Sequence, residues 1–562
     1  MGEQEAGQGC GFCGDRRRVA DDRYHVPADA RGGLVRELVA GGRRETVMGS
    51  VVRIARVMAS VAVVVAMAGV ACGQDLQEAV RGLVASKKLG DAKVGICLMD
   101  ANSKTVLASV NAGEAFIPAS NMKLLTSGAA MMVLGPDFAF RTEFVLDGDR
   151  LVIRGSGDPS LGDPEVLRRS ESKMTVDDVV RSLAAALPKA NISKISEIVV
   201  DDRVFDRQFV HPTWNPDNLH LAYSAQVAGI NFHANVLNVF PRPNPSGGTP
   251  LFTTQPSAAW LRVDASRART ASKGNNSVWL MREGDGSNSF VMRGEVAKAS
   301  QQPISVTIND PPMWFGQLFA TALGEAQVTI TGSTGAAETA AAGLPPTAVR
   351  LAGATEKLEG GRVLAVVSTP IDEVMRRCNV DSENLYAESL MKRMGHAVTH
   401  EPGSWNNGAT VLRMMLAQEL GPDAASTTTI ADGSGLSREN RVSPSVLARW
   451  LTDIAGKEWA DAYVDSLAAP GRGTLERRFQ GMKLTNEVRA KSGYIKGVRS
   501  LSGYVTDPTS GDRLVFVIMV NNLPMGGFEA AHNEARDLHE EIVKLLDRTL
   551  TRRAERKAET AR

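Results

Sequence analysis

The chain has 562 residues, an apolar content of 43%, a charged content of 23% and a formal net charge of +1. This length leaves room for about three or four domains, and the composition is that of an ordinary soluble protein. A net charge so close to zero argues against a polyanionic partner, so nucleic-acid binding is not expected.

The N-terminal region contains an unbroken apolar run from Val57 to Ala71, preceded by two arginines. At about fifteen residues the run is short for a membrane span, and its parts are those of a secretory signal peptide. We predict a signal peptide over residues 48–73, cleaved before Gln74, and export to the periplasm or cell envelope. Residues 1–47 have the composition of a disordered leader, and Met48 is a candidate start.

The cysteines leave two alternatives open. Cys72 ends the apolar run, so lipidation is an alternative to plain cleavage, and only lipidation would hold the mature protein on a membrane. Cys10 and Cys13 lack the further ligands that a metal or redox site needs. For Cys97 and Cys378, two buried free thiols are favoured over a disulfide.

After residue 90 the chain alternates between strand and helix patterns. Two apolar runs between residues 92 and 110 predict a β-hairpin leading into a helix near Ser120, and an Asp-Gly turn predicts another over 144–153. Short strands then dominate to about residue 335, at 198–200, 278–281, 304–308 and 328–330, with helices at 174–187 and 312–323.

Residues 333–346 have a linker composition, and helices are predicted again at 372–377, 384–394 and 409–420. Strands at 498–505 and 513–522 and an amphipathic C-terminal helix follow. We therefore predict an α/β (α+β) domain of residues 74–140 plus 350–550, interrupted by a β-rich insertion, 141–349, of one or two subdomains. Residues 551–562 are predicted to be a solvated basic tail.

Ser120 and Lys123 are the first residues that suggest chemistry. Ser120 lies at or beside the predicted helix start, and Lys123 follows about one turn later on the same face. A serine hydroxyl becomes nucleophilic when a nearby base takes its proton, and burial and the positive end of a helix both favour a neutral amine. The pattern alone is weak, because the chain repeats it at Ser170/Lys173 and Ser389/Lys392.

Two further motifs strengthen the catalytic interpretation of Ser120 and Lys123. Ser382 and Asn384 lie in a polar loop that opens a helix, and this motif taken alone favours a helix cap at Ser382. The third motif, Lys491 to Gly493, precedes the closing hairpin. Without a functional role, it would be interpreted as a solvent-facing strand start. A cation and a hydroxyl on a strand edge can also bind a carboxylate, and a glycine allows close approach of a substrate backbone.

In this order, the three motifs Ser-x-x-Lys, Ser-x-Asn and Lys-Ser-Gly resemble the active-site signature of penicillin-binding proteins and serine β-lactamases. The chain most resembles the low-molecular-mass D-alanyl-D-alanine carboxypeptidase/endopeptidase group, which carries a large insertion between the first two motifs. The resemblance covers residues 78–547 and includes four further stretches: Gly157–Leu161, Asp201–Asp206, Asp432–Arg438 and Leu501–Tyr504.

This resemblance implies a serine β-lactamase/transpeptidase-like domain with an antiparallel sheet. It implies that Ser120 is the acylated nucleophile, that Lys123 is its base and that Ser382 and Asn384 relay protons and position substrate. Lys491 and Ser492 would hold the substrate's terminal carboxylate. The backbone N–H groups of Ser120 and Tyr494 would form the oxyanion hole, and Gly493 would belong to the substrate-binding strand.

The implied activity is D-Ala-D-Ala hydrolysis in peptidoglycan stem peptides, with inhibition by β-lactams and no metal or organic cofactor. Tyr494 departs from the small residue or threonine often found after the third motif, which leaves the rim of the pocket uncertain. The alternatives are a serine β-lactamase and a catalytically silent wall-binding protein. A metallopeptidase is disfavoured, because His396 and His400 lack the accompanying glutamate and lie near Gly395, where we expect the helix to end.

Overall fold

The computed structural model describes residues 75–258, 260–284, 286–332, 345–358, 360–524 and 528–561. The predicted leader, signal peptide and Cys72, together with most of the predicted linker, lie outside the described residues. Among the described helices, none combines the length and the apolar character that crossing a membrane requires.

The strands, numbered in chain order, are β1 (Lys93–Asp100), β2 (Val106–Val110), β3 (Ala139–Asp147), β4 (Arg150–Arg154), β5 (Lys194–Ile195), β6 (Ile198–Asp201), β7 (Val236–Arg242), β8 (Leu251–Gln255), β9 (Arg262–Thr270), β10 (Trp279–Arg282), β11 (Ser289–Val296), β12 (Ile304–Thr307), β13 (Thr329–Ile330), β14 (Val349–Leu351), β15 (Arg362–Pro370), β16 (Glu487–Ile495), β17 (Val498–Thr506) and β18 (Arg513–Asn521).

The helices are α1 (residues 75–86), α2 (Met122–Leu134), α3 (Pro164–Arg169), α4 (Val176–Ala184), α5 (Ala186–Lys189), α6 (Pro311–Glu325), α7 (Ile371–Val380), α8 (Asn384–Thr399), α9 (Trp405–Leu420), α10 (Pro422–Ser426), α11 (Pro444–Ile454), α12 (Ala460–Asp465) and α13 (Phe528–Ala561). Short 3-10 helices include Ala119–Asn121 and Gly473–Leu475.

The first sheet is antiparallel, with strand order β16-β17-β18-β1-β2. Its central strand β18 is buried on both faces. Val515, Val517 and Met519 join the core that contains α2, α8 and α11, whereas Phe516 and Ile518 join the core that contains α13. The sheet is therefore a middle layer between two layers of helices, which agrees with the predicted α/β class.

Helix α2 is buried on every side from Met122 to Met131. Small residues allow this close packing, since a Cβ built on Gly128 would lie 2.6 Å from Ile454 Cδ1 and 2.8 Å from Trp450 Nε1. The Leu124 carbonyl accepts hydrogen bonds from Trp450 Nε1 and the Tyr463 hydroxyl. The helix that carries Lys123 is thus held rigidly against the first sheet.

The second sheet is mixed, with order β14-β6-β4-β3-β15, and packs with α4 and α6 around a separate core. The predicted hairpin at 144–153 is present as β3 and β4, with Gly148 in the turn at a φ of 63°. Strand β15, which the predicted boundary at residue 350 assigned to the first domain, pairs with β3 in this sheet. The described residues of this region also form helices α3 to α6, so strands are not its sole element.

The C-terminal ends of helices α8 and α13 differ from their predictions for reasons that the packing explains. Helix α8 continues through Gly395 to Thr399, because Gly395 serves close packing: a Cβ there would lie 2.0 Å from Asn407 Oδ1 on α9. Helix α13 continues through the predicted tail to Ala561. There Arg553 binds Asp100 at 2.6 Å and Lys557 binds Asp512 at 2.5 Å, so the tail is not merely solvated.

The two described cysteines have the predicted state. Cys97 in β1 and Cys378 in α7 are both buried and both free. Burial raises the pKa of the Cys378 thiol to about 11 and that of Cys97 to about 12, so both thiols are protonated and unreactive at neutral pH.

Candidate active site

Ser120 lies in the 3-10 turn that leads into α2, and its side chain is half-buried and open to the surface. The preceding Ala119 has a φ of 48°, a left-handed conformation that is uncommon for a residue with a Cβ. The neighbouring loop holds the chain in this shape, since a Cβ on Gly435 would lie 1.8 Å from the Ala119 carbonyl oxygen. The turn therefore presents Ser120 in a fixed, strained position.

Lys123 is fully buried, and its Nζ lies 3.3 Å from Ser120 Oγ. The same amine donates to Asn384 Oδ1 at 2.6 Å and to the Ser434 carbonyl at 2.9 Å. All three acceptors are uncharged. Burial lowers the pKa of Lys123, and more distant acidic groups, Cys378 and Glu388 first among them, act in the opposite direction. The site thus favours a neutral amine beside the serine hydroxyl.

The second motif lies where the sequence predicted a helix start, but Ser382 does not cap the helix. Helix α8 begins at Asn384 with Glu383 at the cap position, and Ser382 has a φ of 66°. Its Oγ accepts a hydrogen bond from Lys491 Nζ at 2.8 Å. The left-handed backbone of Ser382 turns its side chain toward the third motif, which a capping conformation would not do.

Asn384 connects three parts of the site. Its Oδ1 accepts from Lys123, and its Nδ2 donates to the Tyr223 carbonyl at 2.7 Å. Tyr223 belongs to the inserted region, and its side chain is 43% exposed. The second motif is therefore held between Lys123 on α2 and the inserted region.

The third motif lies on β16, an edge strand of the first sheet. Lys491 is fully buried there, so the alternative interpretation of a solvent-facing strand start is wrong for this residue. Its Nζ also donates to the Ser492 carbonyl at 2.9 Å. Burial, followed by repulsion from Lys123, lowers the pKa of Lys491 well below its usual range. An incoming carboxylate would stabilise the charged form of this amine.

Gly493 lies directly against Ser120. A Cβ built on it would approach Ser500 Oγ to 2.1 Å, the Pro118 carbonyl to 3.0 Å and the Ser120 nitrogen to 3.1 Å. Ser500 itself donates to the Pro118 carbonyl at 2.8 Å. Only glycine allows the strand to lie this close to the turn that carries Ser120.

Tyr494 stands at the rim, with 47% of its surface exposed. The Arg499 guanidinium lies over its ring, 4.1 Å from the centroid. The structure thus brings all eight predicted residues into one region: Ser120, Lys123, Ser382, Asn384, Lys491, Ser492, Gly493 and Tyr494.

Sequence reasoning missed Glu388, which is buried one helical turn after Asn384. Its carboxylate accepts from the backbone of Gly433 and Ser434 at 2.9 and 2.8 Å and from Trp405 Nε1 at 2.8 Å. These bonds hold the loop whose Ser434 carbonyl binds Lys123. Burial, then the nearby Asp432 carboxyl, raises the pKa of Glu388 to about 7.

The spacing of polar residues in the sequence could have pointed to Glu388. Asn384, Glu388 and Lys392 follow one another at four-residue intervals on a helix that is otherwise largely apolar. Asp432 lies in a stretch quoted for its resemblance and proves to organise its own loop. It accepts from the Gly435 and Ser437 nitrogens at 2.8 and 2.6 Å and from Trp214 at 2.9 Å.

The other two Ser-x-x-Lys copies have different surroundings. Ser170 ends α3 and bonds to the Leu167 carbonyl, while Lys173 is exposed. Ser389 and Lys392 are buried within α8, and Lys392 pairs with Asp206 at 2.6 Å. Within the described residues no group of three His, Cys, Asp or Glu side chains forms a metal site.

Comparison with known proteins decides the family. The profile of the D-Ala-D-Ala carboxypeptidase 3 (S13) family matches residues 76–548. The chain belongs to this family. It is a serine-type D-Ala-D-Ala carboxypeptidase of the low-molecular-mass penicillin-binding class, and neither a β-lactamase nor a silent wall-binding protein is favoured.

Two curated relatives span most of the chain. A D-alanyl-D-alanine carboxypeptidase of Actinomadura sp. (strain R39) is 29% identical over 80% of this chain and 81% of its own length. The D-alanyl-D-alanine carboxypeptidase DacB of Haemophilus influenzae is 24% identical over 81% of this chain and 91% of its own.

Among solved structures, penicillin binding protein 4 (dacB) of Haemophilus influenzae matches with a TM-score of 0.64 at 22% identity. The match covers 82% of this chain and 99% of that one. The likeness confirms the predicted fold class, because nearly the whole of the neighbour is covered.

Proposed function

We propose that this S13 enzyme hydrolyses the terminal D-Ala-D-Ala bond of peptidoglycan stem peptides through an acyl-enzyme on Ser120. The observation that carries this assignment is the 3.3 Å contact between Lys123 Nζ and Ser120 Oγ, in a site where the amine's other acceptors are neutral. An amine in that position takes the hydroxyl proton as the oxygen attacks the carbonyl carbon.

The remaining motif residues are assigned to substrate binding and to proton transfer. Ser382 accepts from Lys491 at 2.8 Å, so it is placed to pass a proton toward the departing amine. The Asn384 amide positions the substrate backbone. Lys491 and Ser492 hold the terminal carboxylate, whose charge compensates the buried ammonium.

Stabilisation of the tetrahedral oxyanion is assigned to the backbone N–H groups of Ser120 and Tyr494. The close packing of Gly493 against the Ser120 nitrogen supports this pairing, because it brings the strand to the edge of the nucleophile's turn. Backbone donors fixed before reaction are effective in a site of this kind. Tyr494 can fill the role although its side chain is large, since only its main chain is used.

The same chemistry at a bond between D-alanine and a diamino acid would make the enzyme an endopeptidase. β-Lactams are proposed as acylating inhibitors, because their amide imitates the D-Ala-D-Ala end. The Haemophilus influenzae neighbour has also been solved in complex with a β-lactam. Neither reaction calls for a metal or organic cofactor.

Export is proposed from the signal peptide expected over residues 48–73 and from a substrate that lies outside the cytoplasmic membrane. Lipidation at Cys72 is the alternative that would place the protein on a membrane surface. Mass measurement of the mature N-terminus distinguishes cleavage before Gln74 from a lipid-modified Cys72.

The assignment of Ser120 is tested by intact mass spectrometry after incubation with benzylpenicillin. We expect a persistent increase of one drug mass in the wild-type protein and none in Ser120→Ala. Peptide mapping should place the adduct on Ser120. Rapid drug hydrolysis without an adduct would instead indicate a β-lactamase, and neither adduct nor hydrolysis would indicate a silent protein.

A further inference from the structure

A cavity of about 140 Å³ lies beside the active-site strand and is not used by the proposed mechanism. Residues 492–494 of β16 and the start of β17 form one wall, and helix α13 and the segment 474–478 form the others. Since a water molecule occupies about 30 Å³ in the liquid, the space suits a few waters or one small polyatomic ion.

The cavity is lined by four arginines, Arg477, Arg478, Arg499 and Arg536, and by no carboxylate. Among the described residues, only Arg478 of these four has a carboxylate partner, Glu540. Burial lowers the pKa of Arg499; the Tyr494 hydroxyl acts in the opposite direction, and repulsion from Arg536 and Arg478 lowers the pKa further. Like charges gathered in a partly buried space repel one another unless an anion lies between them.

A buried histidine gives independent evidence for a missing partner. His539 on α13 lines the cavity and is 1% exposed. No described residue lies within hydrogen-bonding reach of either of its ring nitrogens. Buried polar groups in folded proteins are nearly always satisfied, so this unpaired ring beside a cationic cavity indicates a ligand that accepts hydrogen bonds.

We propose that this cavity binds a small anionic group of the carboxylate or phosphate class, held by the arginine side chains and His539. The site lies beside the position assigned to the substrate's terminal carboxylate, with Ser492 lining it. Its charge, its volume and the unsatisfied histidine all match one anion with several acceptor oxygens.

The anion has two possible sources. It could be a free anion from solution that stabilises β16, or a second carboxylate on the leaving side of a peptide substrate. The second source rests on the proposed function, because it requires Ser120 to cleave a peptide whose leaving group extends past Ser492. The first source does not depend on catalysis.

The first test measures thermal unfolding of the wild-type protein, of Arg477→Gln/Arg536→Gln and of a matched control, Lys544→Gln/Arg548→Gln. The control removes the same charge from α13 outside the cavity. With 20 mM inorganic phosphate at constant ionic strength, a site of about 1 mM affinity should raise the Tm by about 2 °C. We expect this increase in the wild type and the control and its loss in Arg477→Gln/Arg536→Gln.

The second test compares kcat/KM for two peptides that share an acyl half and end in D-Ala-D-Ala or D-Ala-D-Glu. If the substrate supplies the anion, Arg477→Gln/Arg536→Gln lowers kcat/KM for the D-Glu peptide by about tenfold or more relative to the D-Ala peptide, as expected for one lost charged hydrogen bond. If Arg477→Gln/Arg536→Gln loses the phosphate-induced increase in Tm but the ratio of the two kcat/KM values is unchanged, the anion is a free one from solution.

The proposal would be overturned if the two double variants showed the same phosphate-induced change in Tm and the same ratio of kcat/KM values. A general salt effect would then explain any stabilisation. Benzylpenicillin acylation of each variant is measured in parallel. Normal acylation together with a negative result would reject the anion site while leaving the assignment of Ser120 intact. If the double variant does not fold, the exposed Arg477→Gln alone replaces it.

Discussion

Lys123 and Lys392 are both fully buried, and each follows a serine by three positions on a helix of the same layer. Lys123 contacts a serine hydroxyl, an amide oxygen and a backbone carbonyl. Lys392 contacts the Asp206 carboxylate at 2.6 Å and the Gln208 carbonyl at 2.8 Å, and its Nζ lies 3.8 Å from the Trp405 ring centroid.

The difference between these two lysines supports Lys123, rather than Lys392, as the proposed base. Burial lowers the pKa of both amines, but a carboxylate in direct contact opposes the effect at Lys392. Ser389 is not bonded to Lys392, and its hydroxyl has no partner among the described residues. These contacts support our proposal that Lys123 is the base and that Lys392 is a structural cation.

The largest effect is expected for Lys123→Ala. Loss of a positioned general base should slow acylation by benzylpenicillin about 10²- to 10⁴-fold, measured as the rate of adduct formation. Thermal unfolding serves as the control, since the variant should remain folded. A rate close to that of the wild type would show that another group takes the Ser120 proton.

Lys392→Met should act on stability instead. It leaves Asp206 without its partner, while the apolar side chain keeps the contact with Trp405. Breaking a buried ion pair costs ~3–5 kcal/mol. Because the Asp206 side chain is 30% exposed, we expect about 2–3 kcal/mol in urea unfolding. The acylation rate of the folded variant should be unchanged, and a slowed rate at unchanged stability would reverse the assignment of the two lysines.

A smaller effect is expected in the pH dependence of acylation. The reaction needs neutral Lys123, so the rate should rise with pH and level off above a pKa that burial holds below the ordinary 10.5. The Glu388 carboxylate raises the pKa of Lys123. Glu388→Gln should therefore move the rising limb to lower pH. Glu419→Gln, which removes a carboxylate bound to the distant Lys457, is the control and should not move it.

The smallest effect is expected for Ser389→Ala. The substitution removes a buried hydroxyl without a partner among the described residues, so stability should change by less than ~1 kcal/mol. Penicilloylation should be identical to that of the wild type. Loss of the adduct in this variant would place the nucleophile on α8 rather than at Ser120.

The three motifs could be located from sequence because their order and residue types are local properties of the chain. The sequence could not show which Ser-x-x-Lys copy is catalytic from that copy alone, since the difference lies in contacts with distant segments. Asp206 reaches Lys392 across 186 positions, and Ser434 reaches Lys123 across 311. Such pairings follow from tertiary packing, which a single sequence does not display.

The errors have the same origin. Gly395 looked like a helix end because glycine is a poor helix former, but packing against Asn407 requires a residue without a side chain at that position. Ser382 looked like a cap, but its backbone is held in a left-handed conformation that directs its hydroxyl to Lys491. In both cases long-range contacts outweigh the local preference.

The most direct test of the central claim is NMR titration of the two lysines in protein labelled with [ε-¹³C]lysine. Lys123→Arg and Lys392→Met assign the two signals. We predict that the Lys123 signal reaches the chemical shift of a neutral amine at a pH where the Lys392 signal is still that of an ammonium group. A Lys123 signal that titrates together with Lys392, or at a higher pH, would contradict the assignment of Lys123 as the base.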